Sequence, residues 1–257
     1  GRAGSKGAEA RDCVACEGCG LSEDALAVRW NGVSWPTVLS WPASEAVASL
    51  RAWSDRPHSG ALDPHPEDLM IAGGAVEGLY ARKDFRDGVN LLGRLGYTCD
   101  TWHFHHQNAA LAALARAVPD TTMVLDHFGT PLGVGRYRDQ REAIFTAWKK
   151  DIAEIAKCPN VVAKLGGLAM PDNGFGWNER ATPPTSDEFV QAQQRYYLHA
   201  IECFGPNRCM FESNFPVDKW SISYPVLWNG LKKIVAGFAE SEKDAMFYGT
   251  AARVYRL

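Results

Sequence analysis

The 257-residue chain is 46% apolar and 22% charged, an ordinary globular composition with room for one large domain or two small ones. Its net charge of −3 comes without a dense run of Lys or Arg, which argues against nucleic acid as a partner. No stretch approaches the roughly 18 consecutive apolar residues that span a bilayer, and Gly1 to Glu9 lacks the apolar core of a signal peptide.

Residues 1–61 mix Cys, Trp, Ser, Gly and Pro without a period, as in Trp35-Pro36 and Trp41-Pro42. No strand is legible there, and only Ala43 to Trp53 reads weakly as helix. Cys13, Cys16 and Cys19 repeat at a spacing that echoes an iron–sulfur run, but no fourth cysteine is near. Cys99 could in principle complete such a set; chance is the simpler reading in so irregular a segment. Seven cysteines, an odd and scattered number, do not suggest a secreted disulfide framework, so a reducing compartment, the cytoplasm, is expected. Residues 62–82 read as loop, punctuated by Asp63-Pro64-His65-Pro66 and Gly73-Gly74.

From Lys83 the text becomes regular. Phe85, Val89, Leu92 and Leu95 mark a helix that stops at Gly96. The run Tyr97 to His105 precedes a helix over Asn108 to Ala117, and the β-rich run Thr121 to Phe128 precedes one over Gln140 to Lys157. Val161 to Leu168 leads through a Gly/Pro/Asn-rich loop into a helix over Ser186 to Phe204. Cys209 to Phe215 then leads to two amphipathic helices, near Tyr224 to Phe238 and Ser241 to Val254. Strands alternating with helices of this length predict βα units and a parallel sheet. Four units make half a barrel, and no G-x-G-x-x-G loop follows any strand, which argues against a dinucleotide-binding sheet.

In a parallel barrel, catalytic groups sit where strands end. Those ends hold His103-Phe104-His105-His106-Gln107, then Asp126-His127, then Lys164 within an apolar run, then Glu212-Ser213-Asn214 before Asp218. By the two-residue period, His103 shares a face with His105, Met123 and Leu125 with His127, and Glu212 with Asn214. Converging imidazoles and carboxylates hold a divalent ion or relay protons to water. Each taken alone has a plainer reading. A strand-end His is more often structural, Asp126 could bond a loop amide, and Lys164 could snorkel to water. Four such strand ends together favour one shared site.

Thr122 to Gly133, with Asp126-His127-Phe128-Gly129-Thr130-Pro131, resembles the D-H-x-G-x-P signature of the amidohydrolase-related family. Arg208 to Lys219 resembles that family's last strand, Asn160 to Leu168 its seventh, and His105-His106-Gln107 the end of its fifth. The resemblance runs from about residue 62 to 257, and it implies a (β/α)8 TIM barrel whose strands 5–8 are clear while the N-terminal half is atypical or incomplete. It further implies a hydrolase, often of lactones. His105 and His127 fall at positions that bind metal or orient substrate. Asn214 falls where most relatives carry an Asp that binds metal and takes a proton from water. Lys164, Gln107 and Arg180 would face a substrate carboxylate or carbonyl. The implied cofactor is one divalent ion such as zinc, held by His105 and His127, unless the subgroup works without metal.

This sequence departs from the pattern in three ways. Nothing in residues 1–61 resembles the family's first-strand His-x-His, so that segment reads as atypical, disordered or frame-shifted. An amide at Asn214 has no useful basicity, leaving His127, Glu212 or Asp218 to activate water, unless the subgroup works without that base. Two imidazoles fall short of the three protein ligands usual for catalytic zinc. The expected partner is a small-molecule substrate, with neither nucleic acid nor membrane, and with homo-oligomerisation open. Lactone hydrolysis leads, a decarboxylase of the same superfamily follows, and an inactive or fragmentary barrel with a binding role is the third reading.

Overall fold

The computed structural model describes residues 77–257 and, in outline, the short strands β1 (Arg29–Trp30) and β2 (Val33–Ser34). The chain divides into two units, Gly1–Leu62 and Asp63–Leu257. The first contains β1 and β2 paired antiparallel, a small ladder where the sequence predicts no strand. The stretch from Ala43 to Trp53 and the cysteines at 13, 16 and 19 lie outside the described residues. Among the described residues, no helix is long and apolar enough to cross a membrane.

The second unit is built of successive strand–helix repeats. Helix α1 (Lys83–Arg94) leads into β3 (Cys99–Thr101), and α2 (Asn108–Ala117) into β4 (Met123–Leu125). Helix α3 (Arg141–Ala156) leads into β5 (Val161–Leu165), and α4 (Ser186–Phe204) into β6 (Cys209–Phe211). The chain ends with α5 (Tyr224–Ile234), α6 (Glu240–Asp244), a π-helical turn over Ala245–Gly249, and α7 (Thr250–Tyr255). The strands are parallel and lie in chain order, β3-β4-β5-β6. Parallel neighbours need a crossover, and the intervening helices supply it.

The helices form where the sequence predicts them because their apolar residues recur at helical spacing. Helix α3 buries Ile144, Trp148, Ile152 and Ile155 on one stripe. Helix α4 starts with a capping box: Thr185 Oγ1 accepts from Glu188 N at 3.2 Å, and Thr185 N donates to Glu188 Oε2 at 2.7 Å. The two sheet faces differ. Met123, Leu125, Val161, Ala163, Leu165, Cys209 and Phe211 pack into the main core with the helices. Val124, Val162 and Met210 form a smaller cluster with Val254 of α7 on the opposite face.

The strands are shorter than the apolar runs suggest, and each run overshoots at its C-terminal end. His127 (φ 49°), Phe128 (φ 59°) and Asn214 (φ 51°) adopt left-handed backbone after β4 and β6, so the chain turns where the sequence pattern continues. The residues at stake are those at the C-terminal ends of the strands.

Candidate active site

Beyond β4 the chain makes a tight turn over Asp126–Gly129. Trp148 of α3 fixes it by donating its indole N–H to Phe128 O at 2.7 Å, and Thr130 N returns to His127 O at 2.8 Å. Left-handed backbone at non-glycine residues costs roughly 1–3 kcal/mol per residue and persists only where its surroundings impose it. The expectation that His127 shares the face of Met123 and Leu125 is therefore corrected. Those two side chains belong to the helix-facing core, whereas the left-handed turn carries His127 to Glu212.

His127 Nδ1 lies 2.6 Å from Glu212 Oε1, and both side chains are largely buried. A carboxylate oxygen can only accept here, so Nδ1 carries the proton and Nε2 keeps its lone pair. Burial opposes a charged imidazole, but the Glu212 hydrogen bond and the charges of Glu212, Asp126 and Asp218 outweigh it and raise the His127 pKa. Four residues after Asn214, Asp218 Oδ1 accepts from Asn214 Nδ2 at 2.8 Å. Asp218 is 1% exposed, and burial pushes its carboxyl up to about 7, against the Asn214 hydrogen bond and the positive charge of His127.

His105 occupies the turn after β3, which packs against the His127 turn. Its Nδ1 accepts from Leu132 N at 3.2 Å, so the proton of the neutral ring lies on Nε2. Burial, with the neighbouring His106, lowers its pKa to about 4 against a backbone bond at Thr130, which keeps the ring neutral at pH 7. His103 is fully buried between Tyr80 and Asn108, a structural role.

The residues expected to touch substrate have partners of their own in the structure. Lys164 Nζ lies 2.7 Å from both Asp100 and Asp126, and Tyr255 donates to Asp100 at 2.7 Å. Burial works against the ammonium, but hydrogen bonds to Asp100 and Asp126 with the charges of Asp126 and Glu212 raise its pKa. Arg180 pairs with Glu188 at 2.9 Å and so braces the start of α4. Gln107 Oε1 accepts from Phe104 N at 3.1 Å and closes the turn after β3. The partner, in each case remote along the chain or folded back onto the backbone, is what the sequence does not display.

Two glycines make room for the histidine–glutamate pair. A Cβ on Gly166 would lie 2.2 Å from Glu212 Cγ, and one on Gly167 2.6 Å from His127 Nδ1. Gly167 also holds φ +78°, which costs a residue with a side chain about 1–2 kcal/mol. Gly167→Ala is thus expected to lower Tm by several degrees, at about 2–4 °C per kcal/mol for a domain of this size. Catalytic activity should fall in parallel as His127 is displaced. Thermal unfolding and kcat measured side by side check this, and an unchanged Tm would contradict it.

The geometry can be set beside known proteins. The amidohydrolase family model matches residues 26–257, which reaches into the segment where the sequence pattern is obscure. The chain belongs to the amidohydrolase family. This amidohydrolase is 34% identical over 174 residues to uncharacterized protein y4mH of Sinorhizobium fredii, covering 68% of this chain and 52% of that one. It is 31% identical over 179 residues to L-fucono-1,5-lactonase of Burkholderia multivorans, covering 68% of this chain and 56% of the lactonase. The chain spans about half the length of these curated relatives. Among solved structures it resembles a zinc-bound amidohydrolase of Burkholderia multivorans, with TM-score 0.62 and 25% identity, covering 84% of this chain and 72% of that one. The family's fold is a (β/α)8 barrel, and β3–β6 with their helices supply four parallel βα units of that kind.

The zinc in that relative invites a test of fit here. Among the described residues, no group of three or more His, Cys, Asp or Glu could hold a metal ion. His105 and His127 are engaged at Nδ1, and this leaves His127 Nε2 open to a ligand. Two imidazoles fall short of the three protein ligands usual for catalytic zinc, and no step below is routed through a metal.

Proposed function

We propose that this amidohydrolase hydrolyses a lactone or a similar cyclic ester, with His127 as general base. The observation that carries the reading is the 2.6 Å contact between His127 Nδ1 and Glu212 at the C-terminal rim of the sheet. Glu212 holds the imidazole in the tautomer whose Nε2 accepts a proton, as a carboxylate does in other histidine-assisted hydrolyses. Water attacks the ring carbonyl carbon while its proton passes to Nε2. The carbonyl oxygen becomes an oxyanion, which a hydrogen-bond donor lining the site stabilises. As the ring C–O bond breaks, the proton on His127 returns to the leaving alkoxide, and the product is the open hydroxy acid. Asn214 orients water or substrate through its amide and takes no proton. Among the relatives, the L-fucono-1,5-lactonase supports the choice of a cyclic ester.

The test is turnover of a panel of sugar and aromatic lactones by this chain, following acid release and CO2 together. Acid release without CO2 is the expected result. CO2 release would favour the decarboxylase reading, and binding without turnover would favour a barrel that only binds.

A further inference from the structure

The sheet face away from the helix core carries a charged network that the proposed reaction does not use. Lys164 lies near the end of β5, two residues beyond Val162, which packs there with Val124, Met210 and Val254. Asp100 of β3 is in register with Val124, and Asp126 follows Val124 by two residues. The two-residue period therefore puts all three charged residues on this one apolar face.

The structure joins them directly. Lys164 Nζ lies 2.7 Å from Asp100 Oδ2 and 2.7 Å from Asp126 Oδ1, and Tyr255 of α7 donates to Asp100 Oδ2 at 2.7 Å. The two carboxylates differ in how much they depend on the ammonium. The Asp100 side chain is 33% exposed and keeps the Tyr255 hydroxyl, whereas that of Asp126 is 14% exposed. Among the described residues, the buried Oδ1 of Asp126 has no partner but Lys164.

Asp126 stands at the head of the left-handed turn, directly before His127. A buried carboxylate stripped of its cation is costly, and it either takes up a proton or turns to another donor. The adjoining side chain is the imidazole that Glu212 holds through Nδ1 at 2.6 Å. Occupying Asp126 thus protects the His127–Glu212 contact from a second carboxylate.

We propose that Lys164 is a positioning residue, which holds Asp126 toward Asp100, steadies the head of the His127 turn and leaves the imidazole to Glu212. Tyr255 fastens the far end of the network through Asp100, so α7 contributes to the same support. Lys164 acts through Asp126, not on the reacting atoms. The inference rests on the reading of His127 and Glu212 as the reacting pair.

Lys164→Met keeps the length of the side chain and removes its charge. The expected result is a folded enzyme with kcat about 10- to 100-fold lower, the scale of a small misplacement of a reacting group, and KM little changed. Proton NMR supplies a readout that needs no turnover. A proton held between imidazole and carboxylate resonates far downfield, and the resonance that His127→Ala removes should shift or broaden in Lys164→Met. The double variant Lys164→Met/Asp126→Asn removes both charges and should regain most of the lost kcat together with the resonance, because the stranded carboxylate is gone. A raised KM with unchanged kcat would put Lys164 on the substrate and overturn the proposal. So would an unmoved resonance, or a double variant no better than the single one. If Lys164→Met alone does not fold, a folded, active double variant supports the proposal and an unfolded one overturns it. The two readings fail separately. A chain that turns over no lactone, yet whose resonance responds to Lys164→Met, loses the proposed reaction and keeps the role of Lys164. An active lactonase whose resonance does not respond loses only that role.

Discussion

His127→Ala should lower kcat by roughly 10²- to 10⁴-fold while leaving the fold intact. The range is that of a lost general acid–base catalyst. The side chain contributes little to the core, since its ring sits at the strand end against Glu212 rather than among Met123, Leu125 and the helix stripe. The turn that bears it is held by backbone and Trp148 contacts that alanine retains, although alanine must adopt the same φ of 49°. Circular dichroism and kcat on a lactone substrate check the two halves of this expectation. A folded variant with unchanged kcat would remove His127 from the chemistry.

Glu212→Gln should have the second-largest effect, a fall of about 10- to 100-fold in kcat. A hydrogen bond to a charged partner contributes roughly 1.5–3 kcal/mol, and about 1.4 kcal/mol corresponds to tenfold in rate. Glutamine keeps the size and can still accept from Nδ1, so the tautomer persists, but the imidazolium that forms during attack loses its counter-charge. A larger drop in Glu212→Gln than in His127→Ala would place the base on the carboxylate instead.

Much of this architecture is legible in the amino-acid sequence, and the shortfall has a physical pattern. The helices over 108–117 and 186–204 match expectation to the residue, because a 3.6-residue apolar period and the Thr185–Glu188 box are local signals. Strand ends fared worse. The turn at His127 and Phe128 uses left-handed backbone at residues that rarely adopt it, so alternation read through the turn assigned His127 the wrong face. Nothing local warned of it, because Trp148, which fixes the turn, is 20 residues away. His127, Glu212, Asn214 and Asp218 were visible as chemistry-bearing residues at strand ends, and the structure joins them as two contacts, His127–Glu212 and Asn214–Asp218. Lys164 and Arg180 read in the sequence as charged residues suited to a substrate, and the structure adds partners the local sequence does not display, Asp100 and Asp126 for Lys164 and Glu188 for Arg180.

The most direct test of the His127–Glu212 pair is the acid limb of the pH profile of kcat/KM, compared between the unaltered enzyme and Glu212→Gln. A base must be unprotonated to act, so activity rises as pH climbs through the His127 pKa. Burial lowers that pKa, but Glu212 and the neighbouring carboxylates raise it overall, which places the limb above the ordinary histidine value of 6.5. Removing the Glu212 charge takes away the largest raising contribution at His127 and a raising one at Asp218, leaving burial less opposed at the imidazole. The limb should therefore move to lower pH in Glu212→Gln. A limb that stays in place, or moves upward, would contradict a catalytic base oriented and charged by Glu212.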